Sequence, residues 1–294
     1  MTRPMTKRTR SKVSKVCKVI LVFGVSLLVL TPFLWMISLA FTPPEQAFGS
    51  VNLIPTDPTL ENFETALTEA NMLRALINSA IVAAIVVIGN CVFAILAGYA
   101  FAMLPFPGST AVFYAVLATT AIPASVTLIP QFLMVKSFPL MGGNDLFGEG
   151  GIGLIDSIAG LALPSLVTAM NVFLARQYFM GSAPDLAEAA RIDGAGEWLI
   201  FRKIYMPLAK PLIAVVAIFS FVGVWDDFLW PLVITTSRNS QTVQLALAQF
   251  LSSGNIQYGP LMAGAVLITV PVLVVFIFNQ RGFISGLTDG SVKG

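Results

Sequence analysis

The chain has no histidine, only two cysteines and few charges: 11% of its 294 residues are Asp, Glu, Lys or Arg. Each shortage excludes something. Without histidine, the commonest general base and the commonest metal ligand are missing. Cys17 lies beside a basic N-terminal stretch and Cys91 inside an apolar run, so neither placement predicts a disulfide or a metal site. No GxxxxGK[ST] pattern occurs, so the chain is not expected to hydrolyse ATP unaided. A soluble domain carries about 25% charged residues. With 56% hydrophobic residues and a mean hydropathy of +0.83, this chain cannot cover a water-facing surface, and a bilayer must solvate much of it.

What is present is a series of long apolar runs. A crossing helix needs about 20 mostly apolar residues, and six segments qualify, near 19–41, 75–102, 111–135, 153–180, 208–235 and 258–280. Backbone polar groups in lipid must satisfy one another, so the segments are predicted as helices and the chain as an all-α, polytopic membrane protein. Pro32, Pro123, Pro130, Pro164, Pro231 and Pro271 fall inside these runs and predict kinks in spans three to six. The first run, of roughly 23 apolar residues, exceeds a signal-peptide core, and no small-residue cleavage motif follows it; a retained anchor is expected.

Lys and Arg set the expected orientation. Arg3, Lys7, Arg8, Arg10, Lys12, Lys15 and Lys18 precede the first run; Arg176, Arg191, Arg202, Lys203 and Lys210 surround the loop between spans four and five; Arg281 and Lys293 follow the last. Only Arg74, Lys136 and Arg238 fall on the other side. Both termini and the loop at 182–207 are therefore expected in the cytoplasm, with residues 1–18 a basic tail and 19–294 the membrane domain. The opposite loop "LMGGNDLFGEGGIG" contains Gly148, Gly150 and Gly153 in a GxGxxG spacing. No βαβ unit surrounds it, so it reads as a flexible outer loop and not a dinucleotide site.

The loop at 182–207 holds "EAARIDGAGEWLIFRKIYMPL" from Glu188 to Leu208. Ser182, Pro184 and Asp185 suit a helix start. Gly194 suits its stop, and Glu197–Tyr205 a second short helix ended by Pro207. Ala187, Ala189 and Ala190 give a small face, and Trp198, Phe201 and Tyr205 are spaced to share one side. Aromatic anchors flanked by charge fit a protein groove; an amphipathic helix lying on lipid has the same residues.

This stretch resembles the EAA loop of permease subunits of ATP-binding-cassette importers. Glu188, Ala189, Ala190, Gly194, Ile204 and Pro207 match that pattern, with Met206 in place of Leu. "SLAFTPPEQAFG", "AGYAFAMLPFPG", "IPASVTLIPQFLM", "DDFLWPLVI" and the tail "QRGFISGLTDGSVKG" extend the likeness to the carbohydrate-uptake, maltose-permease-like branch. The departures are the longer "GGNDLFGEGG" loop and Asp226-Asp227 where that branch more often has Asn-Glu.

The resemblance implies a type I ABC importer permease fold, a transporter and not an enzyme, in a bacterial or archaeal plasma membrane. It implies a heterodimer with a second permease subunit, two cytoplasmic ATPase subunits and an extracellular solute-binding protein. Nucleic acid is not among the partners. ATP and Mg would be bound by the ATPase subunits, with no cofactor in this chain. Glu188, Ala189, Ala190, Asp193, Gly194, Ile204 and Pro207 would couple to the ATPase: Glu188 by a charge-assisted bond, Gly194 by the turn, and the alanines by clearance.

Candidate residues of the solute path are the polar and aromatic side chains within spans: Gln131, Asn171, Trp225, Asp226 and Asp227. Asn171, Gln131, Asn78 and Asn90 serve equally to join helices, and Trp225 and Trp230 equally form an interfacial belt. A carbohydrate is the expected substrate. A glycerol-phosphate importer of the same class is one alternative, and it would want an Arg in the path. A proton-coupled carrier is the other, and the two halves of the chain show no internal repeat that would support it.

Overall fold

The computed structural model describes residues 7–46, 54–182, 185–251 and 256–289. Among them there is no strand. The helices are α1 (Lys7–Ala40), α2 (Glu61–Glu69), α3 (Met72–Gly89), α4 (Ile95–Met103), α5 (Ser109–Ala118), α6 (Ala124–Lys136), α7 (Ile158–Ala162), α8 (Ala169–Met180), α9 (Asp185–Ile192), α10 (Glu197–Ile200), α11 (Met206–Leu208), α12 (Lys210–Trp225), α13 (Leu229–Ile234), α14 (Val243–Ala248) and α15 (Tyr258–Asp289). Two π turns interrupt the α geometry, at Asn90–Ala94 between α3 and α4 and at Phe201–Tyr205 between α10 and α11.

Three stretches are long and apolar enough to cross a membrane unbroken: Cys17–Ala40, Met72–Met103 and Tyr258–Gln280. Three more qualify only as bent pairs, Ser109–Ala121 with Ala124–Lys136, Ile158–Ser165 with Ala169–Met180, and Glu197–Leu208 with Lys210–Trp225. Three of the expected spans are thus unbroken helices among the described residues, and the count reaches six only where each bent pair is taken as one span. The bends measure 106°, 44° and 77°. Pro123 sits at the first of them, because a proline favours extended backbone before it and starts a helix well. Pro32 and Pro271, by contrast, lie inside uninterrupted helices.

The chain divides into two compact units, residues 1–70 with 250–267, and residues 71–249 with 268–294. In the first, the apolar face of α1 is uncovered, with Leu28 73% exposed, so lipid or another subunit must cover it. The chain after α1 is pinned by Asn62, whose Nδ2 donates to the carbonyls of Ala40 and Thr42 at 3.1 and 2.7 Å. Phe41 and Phe63 pack beside it with ring centroids 4.9 Å apart.

The second unit holds α3–α14. Its centre is a buried polar junction built on the π turn. The wide turn leaves Asn90 aimed between helices, and its Nδ2 donates to Val86 O (3.0 Å) and Ser165 O (2.8 Å). Its Oδ1 accepts from the Thr168 amide (2.9 Å), the Thr168 hydroxyl (3.2 Å) and Asn171 Nδ2 (2.9 Å). Asn171 donates onward to Ser220 Oγ at 2.9 Å, so α3, α8 and α12 meet at one network. Small residues let the helices approach. A Cβ on Gly98 would overlap Ala175 on α8, and one on Gly89 would meet Leu166 at 2.8 Å.

The glycine-rich loop departs from the flexible reading. Asn144 donates to Lys136 O and Phe138 O at 2.8 and 3.0 Å, and its Oδ1 accepts from Gly151 N at 2.8 Å. Asp145 Oδ1 accepts from the amides of Phe147 and Glu149. The glycines are there because strands of this knot touch: a Cβ at Gly142, Gly148 or Gly153 would overlap a facing backbone carbonyl, and all three have positive φ.

Removing the hub of the central network leaves several buried groups unpaired. Asn90→Ala is expected to cost about 1–2 kcal/mol, lowering the thermal midpoint of the purified protein in detergent. Ser220→Ala, which leaves Asn171 its bond to Asn90, should cost less than half as much.

The elbow and its junction with the spans

α9 and α10 form an elbow around Gly194. The turn between them is built from backbone: Gly194 N donates to Arg191 O (3.0 Å) and Ala195 N to Ala190 O (2.9 Å). This is the Schellman arrangement that closes a helix with a left-handed residue, and Gly194 has φ +83°. No atom lies near where a Cβ on Gly194 would sit, so backbone conformation alone demands glycine there. A fork closes the elbow from the side. Arg191 Nε donates to Glu197 Oε1 at 2.7 Å, and its Nη2 to Oε2 at 3.3 Å. That hydrogen bond holds the Arg191 guanidinium above its ordinary value and the Glu197 carboxyl below its own.

The inner side of the elbow is buried in the unit. Ala187, Ile200, Phe201 and Tyr205 pack with Ile95 and Tyr99 of α4, Ala175 and Phe179 of α8, and Leu212 and Val216 of α12. Tyr99 is the centre: its ring lies 5.4 Å from Phe179, 4.8 Å from Phe201 and 5.5 Å from Tyr205. Its hydroxyl donates to Glu197 Oε2 at 3.3 Å, joining the aromatic cluster to the fork. Such ring pairs add roughly 0.5–1.5 kcal/mol each beyond their buried area. The elbow is therefore one packed body with α4, α8 and α12.

Its outer side is bare. Glu188, Ala189, Asp193 and Gly194 are exposed, with Ile192 at 86% and Trp198 at 63%. Of the other residues matched to the coupling pattern, Ala190 and Ile204 are half-buried and Pro207 is exposed at the junction. Ala183 and Pro184, part of the expected helix start, lie outside the described residues. One expectation holds and one changes. Trp198 and Phe201 share a side, their ring centroids 5.5 Å apart, with Trp198 at the exposed rim of the cluster and Phe201 and Tyr205 buried within it. Pro207 does not end the second helix: it lies in the first turn of α11, where a missing amide is tolerated, and the chain bends at Ala209.

The candidate path residues sit in different surroundings. Asn171 is buried in the central network. Trp225 is 2% exposed, stacks on Phe221 and donates from Nε1 to Ile268 O at 3.3 Å. Trp230 likewise donates to Gly160 O at 3.1 Å. Gln131 is half-buried on α6. The fifth span does not continue to 235: α12 stops at Trp225, and Asp226 and Asp227 occupy the break before α13. Asp226 is exposed there, and Asp227, one residue before the N-cap Phe228, accepts at Oδ1 from Trp230 N at 3.3 Å. Asp156, which no sequence pattern singled out, grips the segment after α13. Partial burial pushes its carboxyl up, but hydrogen bonds from Ser237 and Thr236 outweigh this and hold it below its ordinary value.

The chain matches the family described as binding-protein-dependent transport system inner membrane component over residues 92–283. The arabinooligosaccharides transport system permease protein AraQ of Halalkalibacterium halodurans is 34% identical over 293 residues, covering 97% of this chain and 100% of that one. The sn-glycerol-3-phosphate transport system permease protein UgpE of Brucella abortus is 26% identical, covering 92% and 94%. A chain in the crystal structure of a bacterial ABC transporter that imports the acidic polysaccharide alginate shares the fold, with a TM-score of 0.77 at 20% identity over 96% of this chain and 100% of that one. The chain belongs to the family of binding-protein-dependent transport system inner membrane components. It is a transport subunit and not an enzyme.

Two tyrosines in the aromatic cluster should respond oppositely to losing a hydroxyl. The Tyr205 hydroxyl is buried with no hydrogen-bond partner among the described residues, so Tyr205→Phe is expected to be neutral or stabilising. Tyr99→Phe loses the bond to Glu197, whose side chain is 42% exposed, and should cost less than about 1 kcal/mol. Thermal unfolding of the two variants side by side checks the difference in sign.

Proposed function

We propose that this chain is a permease subunit of an ATP-dependent importer for an oligosaccharide, working with a second permease chain, a pair of ATPase subunits and an external solute-binding protein. The observation that carries the reading is the two-sided elbow: apolar Ile192 and Trp198 bare on one side, Ala187, Ile200, Phe201 and Tyr205 sealed on the other. The bare side is the seat for the ATPase, with Glu188 supplying a charge-assisted bond and Ala189, Ala190 and Gly194 allowing close approach. The sealed side passes the movement to α4, α8 and α12. The elbow and both termini face the cytoplasm, as the distribution of Lys and Arg favours.

The chain holds no fuel, so force arrives through the elbow. When ATP and Mg close the partner ATPase, the elbow moves as a rigid piece and carries the spans packed on it. Taking a two-state path from 1:99 to 99:1 needs a differential of about 5.5 kcal/mol between the states, supplied by nucleotide binding at the ATPase interface. Carbohydrate is favoured as cargo by the relatives of 31–34% identity, which are named for arabinooligosaccharides, diacetylchitobiose and trehalose.

The test is uptake into proteoliposomes holding the full complex, with a panel of oligosaccharides and the cognate binding protein outside. Wild type should accumulate one or more of them only with ATP at the elbow side. Ile192→Asp should abolish co-purification of the ATPase while the permease pair still assembles. Uptake that survives ATP depletion and follows a proton gradient would show a secondary carrier instead.

A further inference from the structure

Between α13 and α14 the chain crosses from Thr235 to Thr242 with only a single 3-10 turn at Arg238–Ser240. A segment of this kind is ordinarily loose, yet it is gripped from two sides. Asn78 of α3 donates to Asn239 O at 2.7 Å and Gln241 O at 3.0 Å, and Ser79 Oγ accepts from Val243 N at 3.0 Å. From the other side comes Asp156, which engages through its amide, its carbonyl and Oδ1. The Asp156 amide donates to Ile234 O at 3.0 Å. Its Oδ1 accepts from the amides of Thr236 (2.9 Å) and Ser237 (3.0 Å), and its carbonyl accepts from Ser240 Oγ at 3.0 Å.

This grip needs an unusual backbone. Asp156 has φ +58°, one of three positive values at non-glycine residues among those described. The left-handed region costs an L residue about 1–2 kcal/mol, and Asp and Asn bear it best. The strain aims carboxylate and carbonyl at the same segment, and strain retained at such a junction points to a positional requirement. What is held is specific. Thr236, Arg238 and Asn239 remain exposed on the gripped segment. The segment is also one end of α13, whose other end is the Asp226–Asp227 break.

We infer that Asp156 is a positioning residue for the mouth of the transporter: it fixes Ile234–Ser240, and through α13 the Asp226–Asp227 break, as a preformed surface for the loaded external solute-binding protein. The inference rests on the reading above, that this end of the chain faces outside. A surface already ordered avoids the ordering cost at docking, so losing the grip weakens the encounter and not the turnover that follows it.

The experiment is steady-state ATPase activity of the full complex in nanodiscs against concentration of the binding protein, loaded with the oligosaccharide that drives wild-type uptake. Asp156→Gly keeps the left-handed backbone and removes the carboxylate; it should raise the KM for loaded binding protein about five- to tenfold with the maximal rate within about twofold. Asp156→Asn keeps an acceptor and tolerates the backbone, and should return KM to within about twofold of wild type. A glycine variant equal to wild type, an asparagine variant as impaired as glycine, or a fall in maximal rate at unchanged KM overturns the inference. Should Asp156→Gly fail to assemble, Ser240→Ala removes one donor only. A raised KM there sustains the inference, and an unchanged KM overturns it. A wild-type complex that no loaded binding protein stimulates defeats the importer reading instead, and is seen before any variant is made.

Discussion

The packing of Tyr99 against Phe179, Phe201 and Tyr205 is the interaction on which the rest depends. An elbow of two short helices cannot hold itself in water, since helices this short are marginal without tertiary contacts. Here its inner face is part of the same apolar core as the ends of α4, α8 and α12. The fork between Arg191 and Glu197 is half in solvent and adds direction more than stability. What results is an elbow packed into the same core as the spans beside it.

The spans are joined in tiers. Near the elbow the joint is aromatic; at the π turn it is the Asn90 network; beyond that, Trp230 donates to Gly160 and Asp156 grips the segment after α13. Polar joints in a membrane interior are worth little each, roughly 0.6 kcal/mol on average. Their use is specificity, because a shifted register would leave several buried amides unpaired at once. Of the Asn residues that read as either path or joint from sequence, Asn90 and Asn171 join helices here and Asn78 ties α3 to the segment before α14.

Much of this was legible beforehand. Hydropathy located three unbroken apolar helices and the regions of three bent pairs, and Gly194 marked the elbow because a left-handed stop there needs glycine. The breaks were harder. Pro123 sits at a 106° bend while Pro271 passes through a continuous helix, and nothing local separates the two. The π turns have no residue signature, so neither could be read from spacing. Asp156 was invisible for a different reason: its partners lie about 80 residues away, and only the folded chain brings them together. The glycine-rich loop misled because glycine permits looseness in one setting and close backbone contact in another; here the second governs.

That loop has a practical corollary. Leu154 N donates to Val135 O at 2.9 Å, so the two ends of the knot meet at a single hydrogen bond. An excursion whose stem is already closed grows at small entropic expense, since each doubling of its length costs only about 0.6 kcal/mol. Extra sequence grafted at its exposed tip, around Leu146 and Phe147, would leave the helical joints below undisturbed. The knot is thus a natural handle, a spot where the chain accepts an epitope or a fluorophore without its transmembrane machinery registering the addition.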